Sequence, residues 1–143
     1  MKTTVQRILV LGLLFAAPWT SSAQRPEALD KLMAKKLDSS KNLFEGIALA
    51  NYKKIASSAD QLVQLSRQDE WFVFKTPRYE NFSNDFRRAA ETIAQKANEK
   101  NLDGVTLAYF DLTMSCVRCH KYVREVRDAR APGNPHGTVA STK

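Results

Sequence analysis

Apolar residues recur at intervals of three and four along the first part of the chain, which is the period of an amphipathic α-helix. This pattern runs from Leu29 to Ala48 and predicts one helix to about residue 49, followed by a tight connection near Asn51. The polar residues 38–40 weaken the helix without supplying a proline or glycine, so a break at that place stays open. A second helix is predicted over about residues 55–65.

The segment 68–80 departs from helical spacing because it contains four aromatic residues, Trp71, Phe72, Phe74 and Tyr79, together with Pro77. A lone strand in this segment would have no partner with which to pair. We therefore expect an ordered loop whose aromatic side chains pack beneath the helices.

Two further helices are predicted after this loop. The third begins near residues 80–83 and ends near residue 100, with Asn101 or Gly104 as its left-handed cap and Asp103 as the cap of the fourth. Apolar residues of the fourth helix alternate at spacings of four and three, which is typical of a helix packed in a bundle: Val105, Tyr109, Leu112, Cys116, Cys119, Val123 and Val126. The pattern predicts an all-α fold, an antiparallel four-helix bundle over residues 24–130, with a flexible C-terminal tail over residues 131–143.

The first 23 residues have the layout of a secretory signal peptide. Lys2 and Arg7 precede an apolar run over residues 8–17, and small residues stand before a cleavage site after Ala23. The apolar run is shorter than the roughly 20 residues that a membrane span needs. We expect export to the periplasm and no membrane span after cleavage.

Composition and charge further narrow the possible classes of protein. A chain of 143 residues with 43% hydrophobic and 26% charged residues is typical of one globular domain. Two cysteines are too few for a disulfide-rich scaffold or, by themselves, for a four-thiolate metal site. The net charge of +7 is a moderate basic excess, and together with the export signal it argues against nucleic acid as a partner.

The predicted fourth helix carries Cys116-Val117-Arg118-Cys119-His120, the Cys-x-x-Cys-His signature of covalent c-type haem attachment. Two thiols must form thioethers with the two vinyl groups on one edge of a porphyrin, and an imidazole must reach the iron from one face. Positions i, i+3 and i+4 share a helix face, so one helix presents all three groups together. We expect one covalent haem c, with Cys116 and Cys119 as thioether residues and His120 as the proximal iron ligand.

Two other chemistries use the same residue types. A thiol–disulfide Cys-x-x-Cys pair belongs near a βαβ pattern, and the sequence shows no such strand pattern. Zinc could take Cys116, Cys119, His120 and His136 as four ligands, although His120 directly follows Cys119 and His136 lies in the proline- and glycine-containing tail.

A signal peptide, four helices and a Cys-x-x-Cys-His motif late on the last helix resemble cytochrome c′, the class II c-type cytochromes. Residues 116–124 are similar to the ending of that family, in which a basic residue commonly follows four positions after the histidine, as Arg124 does. Residues 41–48 resemble the second half of the first helix of the family. The resemblance covers the layout of most of the chain after the signal peptide, and it is specific only in the haem motif. It implies a covalently bound haem on the C-terminal helix and places Lys41 near the propionates; the charge of Arg124 makes it a second candidate propionate contact.

In the same family, the sixth iron position is closed by a methionine of the first helix in low-spin members. In high-spin members the distal face is apolar and open to nitric oxide or carbon monoxide. Met33 is the candidate distal ligand, because Met1 leaves with the signal peptide and Met114 shares the helix of the proximal ligand. Met33 falls a little earlier than the family position, and a purely core role is the alternative. Without ligation by Met33, the expected distal pocket is apolar and is lined by Leu37, Phe44 and Ile47.

We expect a periplasmic monohaem cytochrome that carries electrons and is not an enzyme, because no nucleophile–base pair is apparent beside the motif. The alternative is a high-spin cytochrome c′ that binds nitric oxide or carbon monoxide at an open distal site. Basic residues of the last helix form either a docking face for an anionic redox partner or a solvated surface: Arg118, Lys121, Arg124, Arg127 and Arg130. Monomer and homodimer both stay open.

Overall fold

The computed structural model of the protein describes residues 24–130, so the predicted signal peptide and the predicted tail lie outside the described residues. The described chain contains four α-helices and a short 3-10 helix, and it has no strand. The prediction of an all-α protein with four helices is confirmed. The helices are α1 (Gln24–Ala48), α2 (Tyr52–Leu65), the 3-10 helix Asp69–Trp71, α3 (Pro77–Asn98) and α4 (Leu102–Arg130).

Helix α1 runs without a break through the polar residues 38–40, as predicted. The hydroxyls of Ser39 and Ser40 donate to the carbonyl oxygens of Lys35 and Lys36, each at 2.9 Å, so their polar groups are satisfied within the helix. Ser39 is buried, and its hydroxyl also lies 2.9 Å from the side-chain oxygen of Gln61 on α2. A polar position in the middle of α1 therefore links the two helices.

The connection from α1 to α2 is tight, as expected. Ala50 adopts a left-handed backbone with φ of 49°, and the amide of Asn51 donates to the carbonyl of Gly46 at 2.8 Å. The side chain of Asn51 then accepts from the amide of Lys54 at 3.0 Å and caps α2. This turn places α2 antiparallel to α1.

Helix α3 begins at Pro77, about one turn earlier than predicted. The Thr76 hydroxyl accepts from the amide of Tyr79 at 3.2 Å, which makes Thr76 the N-cap and puts Pro77 at a first-turn position that tolerates a missing amide. The proline was assigned to the loop, whereas it starts the helix. The rest of the segment contains the short 3-10 helix and an ordered, non-helical stretch. Trp71 and Tyr79 are buried as expected, whereas Phe72 is 49% exposed, so the expectation is wrong for this ring.

The turn from α3 to α4 uses different residues from those predicted. Lys100, with φ of 54°, takes the left-handed position that was expected at Asn101 or Gly104. Asn101 instead caps α4, since its side chain accepts from the amide of Gly104 at 2.8 Å, and Asp103 lies in the first turn. The left-handed position and the N-cap thus fall on Lys100 and Asn101, and the order of the helices is unchanged.

Helices α1 and α2, α2 and α3, and α3 and α4 pack closely against one another, whereas α1 and α4 make few contacts. The bundle is therefore open along one side, which we call the α1–α4 seam. All four helices contribute to its core, in which these side chains are almost completely buried: Leu43, Ile55, Ala59, Leu62, Phe86, Ala90, Ile93, Val105 and Leu112. Among the described residues, no helix is both long enough and apolar enough to cross a membrane.

Candidate functional site

Helix α4 presents the three side chains of the Cys-x-x-Cys-His motif within little more than one turn. Cys116 and Cys119 are half-buried against the core, and His120 is more exposed. Both thiols are free, so they are not joined to each other. The three side chains lie where α4 faces the α1–α4 seam.

The packing across the seam fixes which parts of α1 face the motif. The rings of Phe44 and Tyr109 lie 6.1 Å apart, between α1 and α4. The two helices run antiparallel. Cys116 lies two turns after Tyr109 on α4, and Leu37 lies two turns before Phe44 on α1, so Cys116 and Leu37 are at the same level of the bundle. One more turn brings His120 level with Met33, and these two residues line the same cavity. The structure therefore brings together the predicted proximal and distal residues.

This cavity has a volume of about 220 Å³ and lies at the end of the seam near the start of α1. Its buried part is formed by the side chains of Lys36, Trp71 and Tyr79, all of which are nearly inaccessible to solvent. Its exposed part is charged, with Asp30, Arg124 and Arg127. The remaining lining residues are mostly apolar or belong to the motif: Leu29, Met33, Val73, Cys119, His120 and Val123.

The surroundings of His120 favour the neutral form of its imidazole. Burial lowers the pKa of His120 below its ordinary value, and the positive charges of Lys36 and Arg124 lower it further. A neutral imidazole is the form that binds a metal ion. The lowered pKa therefore favours the metal-binding form of His120.

Burial also raises the pKa of the Cys119 thiol, an effect that the charge of Lys36 opposes and the neighbouring Cys116 reinforces. The thiol is accordingly un-ionised near neutral pH. Reactive cysteines of thiol–disulfide enzymes have the opposite property, a lowered pKa in an electropositive environment. This difference, together with the lack of any strand in the described chain, disfavours the thiol–disulfide alternative.

A hydrogen-bonded aromatic pair fixes the wall of the cavity opposite α4. The indole nitrogen of Trp71 donates to the Ser83 hydroxyl at 3.0 Å, and the Tyr79 hydroxyl donates to the carbonyl of Trp71. Burial raises the pKa of Tyr79 to about 12, with a smaller contribution from the nearby Cys119. The wall is therefore rigid and stays uncharged.

Lys36 is the residue of this site that the sequence analysis missed. Its side chain is only 5% exposed, and its Nζ lies 4.8 Å from the ring centre of Trp71 and 4.6 Å from that of Phe86. The signal is present in the sequence, because Lys36 occupies a core position of α1 with spacings of four, three and four: Leu32, Lys36, Ser39 and Leu43. A lysine at such a position is uncommon enough to mark it for attention.

Other predicted site residues lie elsewhere. Leu37 and Phe44 are 56% and 59% exposed and do not line the cavity, and Ile47 is half-buried against the core. Lys41 is exposed and lies 3.9 Å from Asp38, away from the cavity. The reason is helical phase, since the face of α1 that lines the cavity carries Leu29, Met33 and Lys36, whereas Lys41 is turned to solvent. Arg124 lines the cavity.

Within residues 24–130, no three histidine, cysteine, aspartate or glutamate side chains gather closely enough to hold a metal ion by themselves. The predicted fourth zinc ligand, His136, lies outside the described residues. The protein shows no match to models of known protein families, to curated proteins or to solved structures.

Proposed function

We propose that this protein is an exported c-type monohaem cytochrome that carries electrons, built on the plan of the cytochrome c′ bundle. The observation that carries the proposal is the placement of two free thiols and an imidazole on one face of α4, beside the open α1–α4 seam. Three helix pairs of the bundle pack closely, and a flat group bound at the fourth pair would lie between α1 and α4. The attachment signature lies at that opening.

The residues present fit a covalent haem. Cys116 and Cys119 would hold it through thioethers, His120 would bind its iron on one side, and Met33, level with His120 across the seam, would bind on the other. The haem would supply an iron that changes its oxidation state by one electron. Arg124 and Arg127, at the exposed part of the cavity, offer positive charge for its carboxylates.

The chain itself supplies orientation and protection from water. Trp71 and Tyr79 form a buried wall behind the motif, and their hydrogen bonds leave no unsatisfied donor that would attract solvent. Half-burial of the two cysteines keeps the attachment edge close to the protein surface. An electron carrier needs this combination, because its redox group must be dry enough to have a defined potential and near enough to the surface to exchange electrons.

The first experiment asks whether the protein binds haem covalently. The full chain is produced in a bacterial host that matures c-type cytochromes, then denatured and extracted with acid. We expect haem to stay on the wild-type polypeptide and to be absent from the double variant Cys116→Ser/Cys119→Ser. The variant His136→Ala serves as the control for the zinc alternative and should keep its haem. A wild-type protein that carries no covalent haem contradicts the proposal.

The second experiment identifies the distal ligand by absorption spectra of oxidised, reduced and carbon monoxide-treated protein. We expect sharp, low-spin reduced bands that ignore carbon monoxide in the wild type. Met33→Ala should give broader, high-spin bands that shift with carbon monoxide. Met114→Ala is the matched control, because Met114 lies on α4 and does not line the cavity. A wild-type spectrum that already responds to carbon monoxide would favour gas binding over electron transfer.

A further inference from the structure

Lys36 is a buried cation without a partner of opposite charge among the described residues. No carboxylate of residues 24–130 forms an ion pair with it, and its Nζ is instead placed against the faces of Trp71 and Phe86. Aromatic faces attract a cation but compensate only part of the hydration that burial removes. A hydrophobic residue of similar length would fill this position of α1 at lower cost to the fold.

The position of Lys36 relates it to the motif. It lines the same cavity as Cys119, His120 and Met33. Arg124, by contrast, lines the cavity where it is exposed to solvent. Lys36 is thus the buried charge of the cavity, next to the residues that attach the haem and bind its iron, whereas the arginines are at the exposed part.

We propose that Lys36 sets the reduction potential of the haem iron by holding one positive charge in the protein interior beside it. This inference rests on the proposed function. Reduction removes one positive charge from the iron, so a nearby cation stabilises the reduced form relative to the oxidised form and raises the potential. Water screens this effect little, because Lys36 is 5% exposed. Lys36 is a tuning residue, and Met33 keeps the role of distal ligand.

The test measures the midpoint potential of the haem-loaded full chain for the wild type and three variants. Lys36→Gln removes the charge, and we expect the equilibrium constant for reduction to fall at least about tenfold, which is about 59 mV for one electron. Lys36→Arg keeps a charge that aromatic faces accept, so its potential should stay close to that of the wild type. Lys41→Gln is the matched control, because it removes an exposed lysine of the same helix and should change the potential little.

Absorption spectra of the same samples separate this role from others. Lys36→Gln should keep the coordination and spin state of the wild type. A change of spin state would make Lys36 an iron ligand and overturn the inference, as would an unchanged potential with an intact spectrum. Lys36→Leu, which removes the charge and adds no group that binds iron, repeats the test if Lys36→Gln does not fold by circular dichroism. Absence of covalent haem from the wild type overturns the proposed function and this inference with it, whereas haem with an unaltered potential overturns only the inference.

Discussion

The two sides of the bundle are built differently. Between α2 and α3, small and branched side chains such as Ala59, Ala90 and Ile93 are completely buried, and the helices pack closely. Between α1 and α4 the helices make few contacts, and these two helices carry most of the exposed large apolar side chains of the described chain. We call the first region the closed side and compare it with the α1–α4 seam.

The difference shows how one short chain can combine stability with a site. The closed side supplies close packing and buries apolar area, which is the main stabilising contribution to folding. The seam gives up part of that burial and holds instead two free cysteines, a histidine and a buried lysine. We therefore expect mutations on the closed side to reduce stability whether or not haem is bound, and mutations at the seam to matter chiefly when it is bound.

The largest loss of stability is expected for Ile93→Ala on the closed side. Ile93 is completely buried, and its truncation removes apolar burial and leaves a cavity, which costs about 2–5 kcal/mol. Urea unfolding of the haem-free protein measures the loss. Ile93→Val is the control and should cost about 1 kcal/mol. A loss for Ile93→Ala below that of the control would show that the closed side is loosely packed.

A pH-dependent loss of stability is expected from Tyr79, a residue of α3 whose side chain lines the cavity. Its pKa is about 12 in the folded protein against an ordinary value of 10.0, because burial disfavours the phenolate. The folded state therefore holds its proton more tightly than the unfolded state, so the stabilisation is present below pH 10 and is lost as the pH rises through about 12. The full contribution is about 2–3 kcal/mol.

The measurement compares the unfolding free energies of the wild type and Tyr79→Phe from about pH 8 to pH 12. The difference between the two proteins should be constant up to about pH 10 and then fall, because only the wild type carries the hydroxyl that titrates. A difference that does not change over this range would mean that the Tyr79 hydroxyl is not shielded from water.

A smaller loss of stability is expected for a substitution at Gly46, where α1 approaches α2. A Cβ at this position would lie 2.9 Å from the Cγ1 of Ile55 and 3.2 Å from its backbone nitrogen. Gly46→Ala should destabilise the protein by about 1 kcal/mol, since overpacking outweighs the gain in helix propensity. Gly104→Ala is the comparison, because the added Cβ would meet the side chains of Asn101 and Lys96 and no backbone atom of another helix. A stabilising Gly46→Ala would show that α1 can shift away from α2.

The smallest effect on the haem-free protein is expected at the seam itself. Phe44 is 59% exposed, so Phe44→Ala should change the unfolding free energy by about 0.5 kcal/mol or less. In the haem-loaded protein the same substitution should lower the thermal midpoint more than it does in the haem-free protein, because the group occupying the seam would contact the ring. Equal shifts with and without haem would contradict the assignment of the seam as the haem site.

The local patterns in the sequence were sufficient to predict the helices of the fold. Helical periodicity predicted four helices, and α1 crosses residues 38–40 unbroken because Ser39 and Ser40 satisfy their hydroxyls within the helix. Boundaries were less accurate where neighbouring residues compete for the same role, as at Pro77 and at the turn after α3. Such choices depend on differences in capping that are small beside the free energy of packing.

For the candidate site, the sequence predicted the residues that lie close together along one helix. Cys116, Cys119 and His120 share a face of α4 by spacing alone. The distal side could not be predicted with the same certainty, because it depends on the phase of α1 against α4. That phase places Met33 in the cavity and leaves Leu37 and Phe44 exposed.

The sequence by itself therefore determined the helices, their order and the shared helix face of Cys116, Cys119 and His120, because each depends on residues within a few turns of one another. Only the tertiary structure decided that α1 and α4 leave a seam and that Lys36 is buried against Trp71 and Phe86. These features arise from contacts between residues far apart in the chain, whose geometry depends on how whole helices pack.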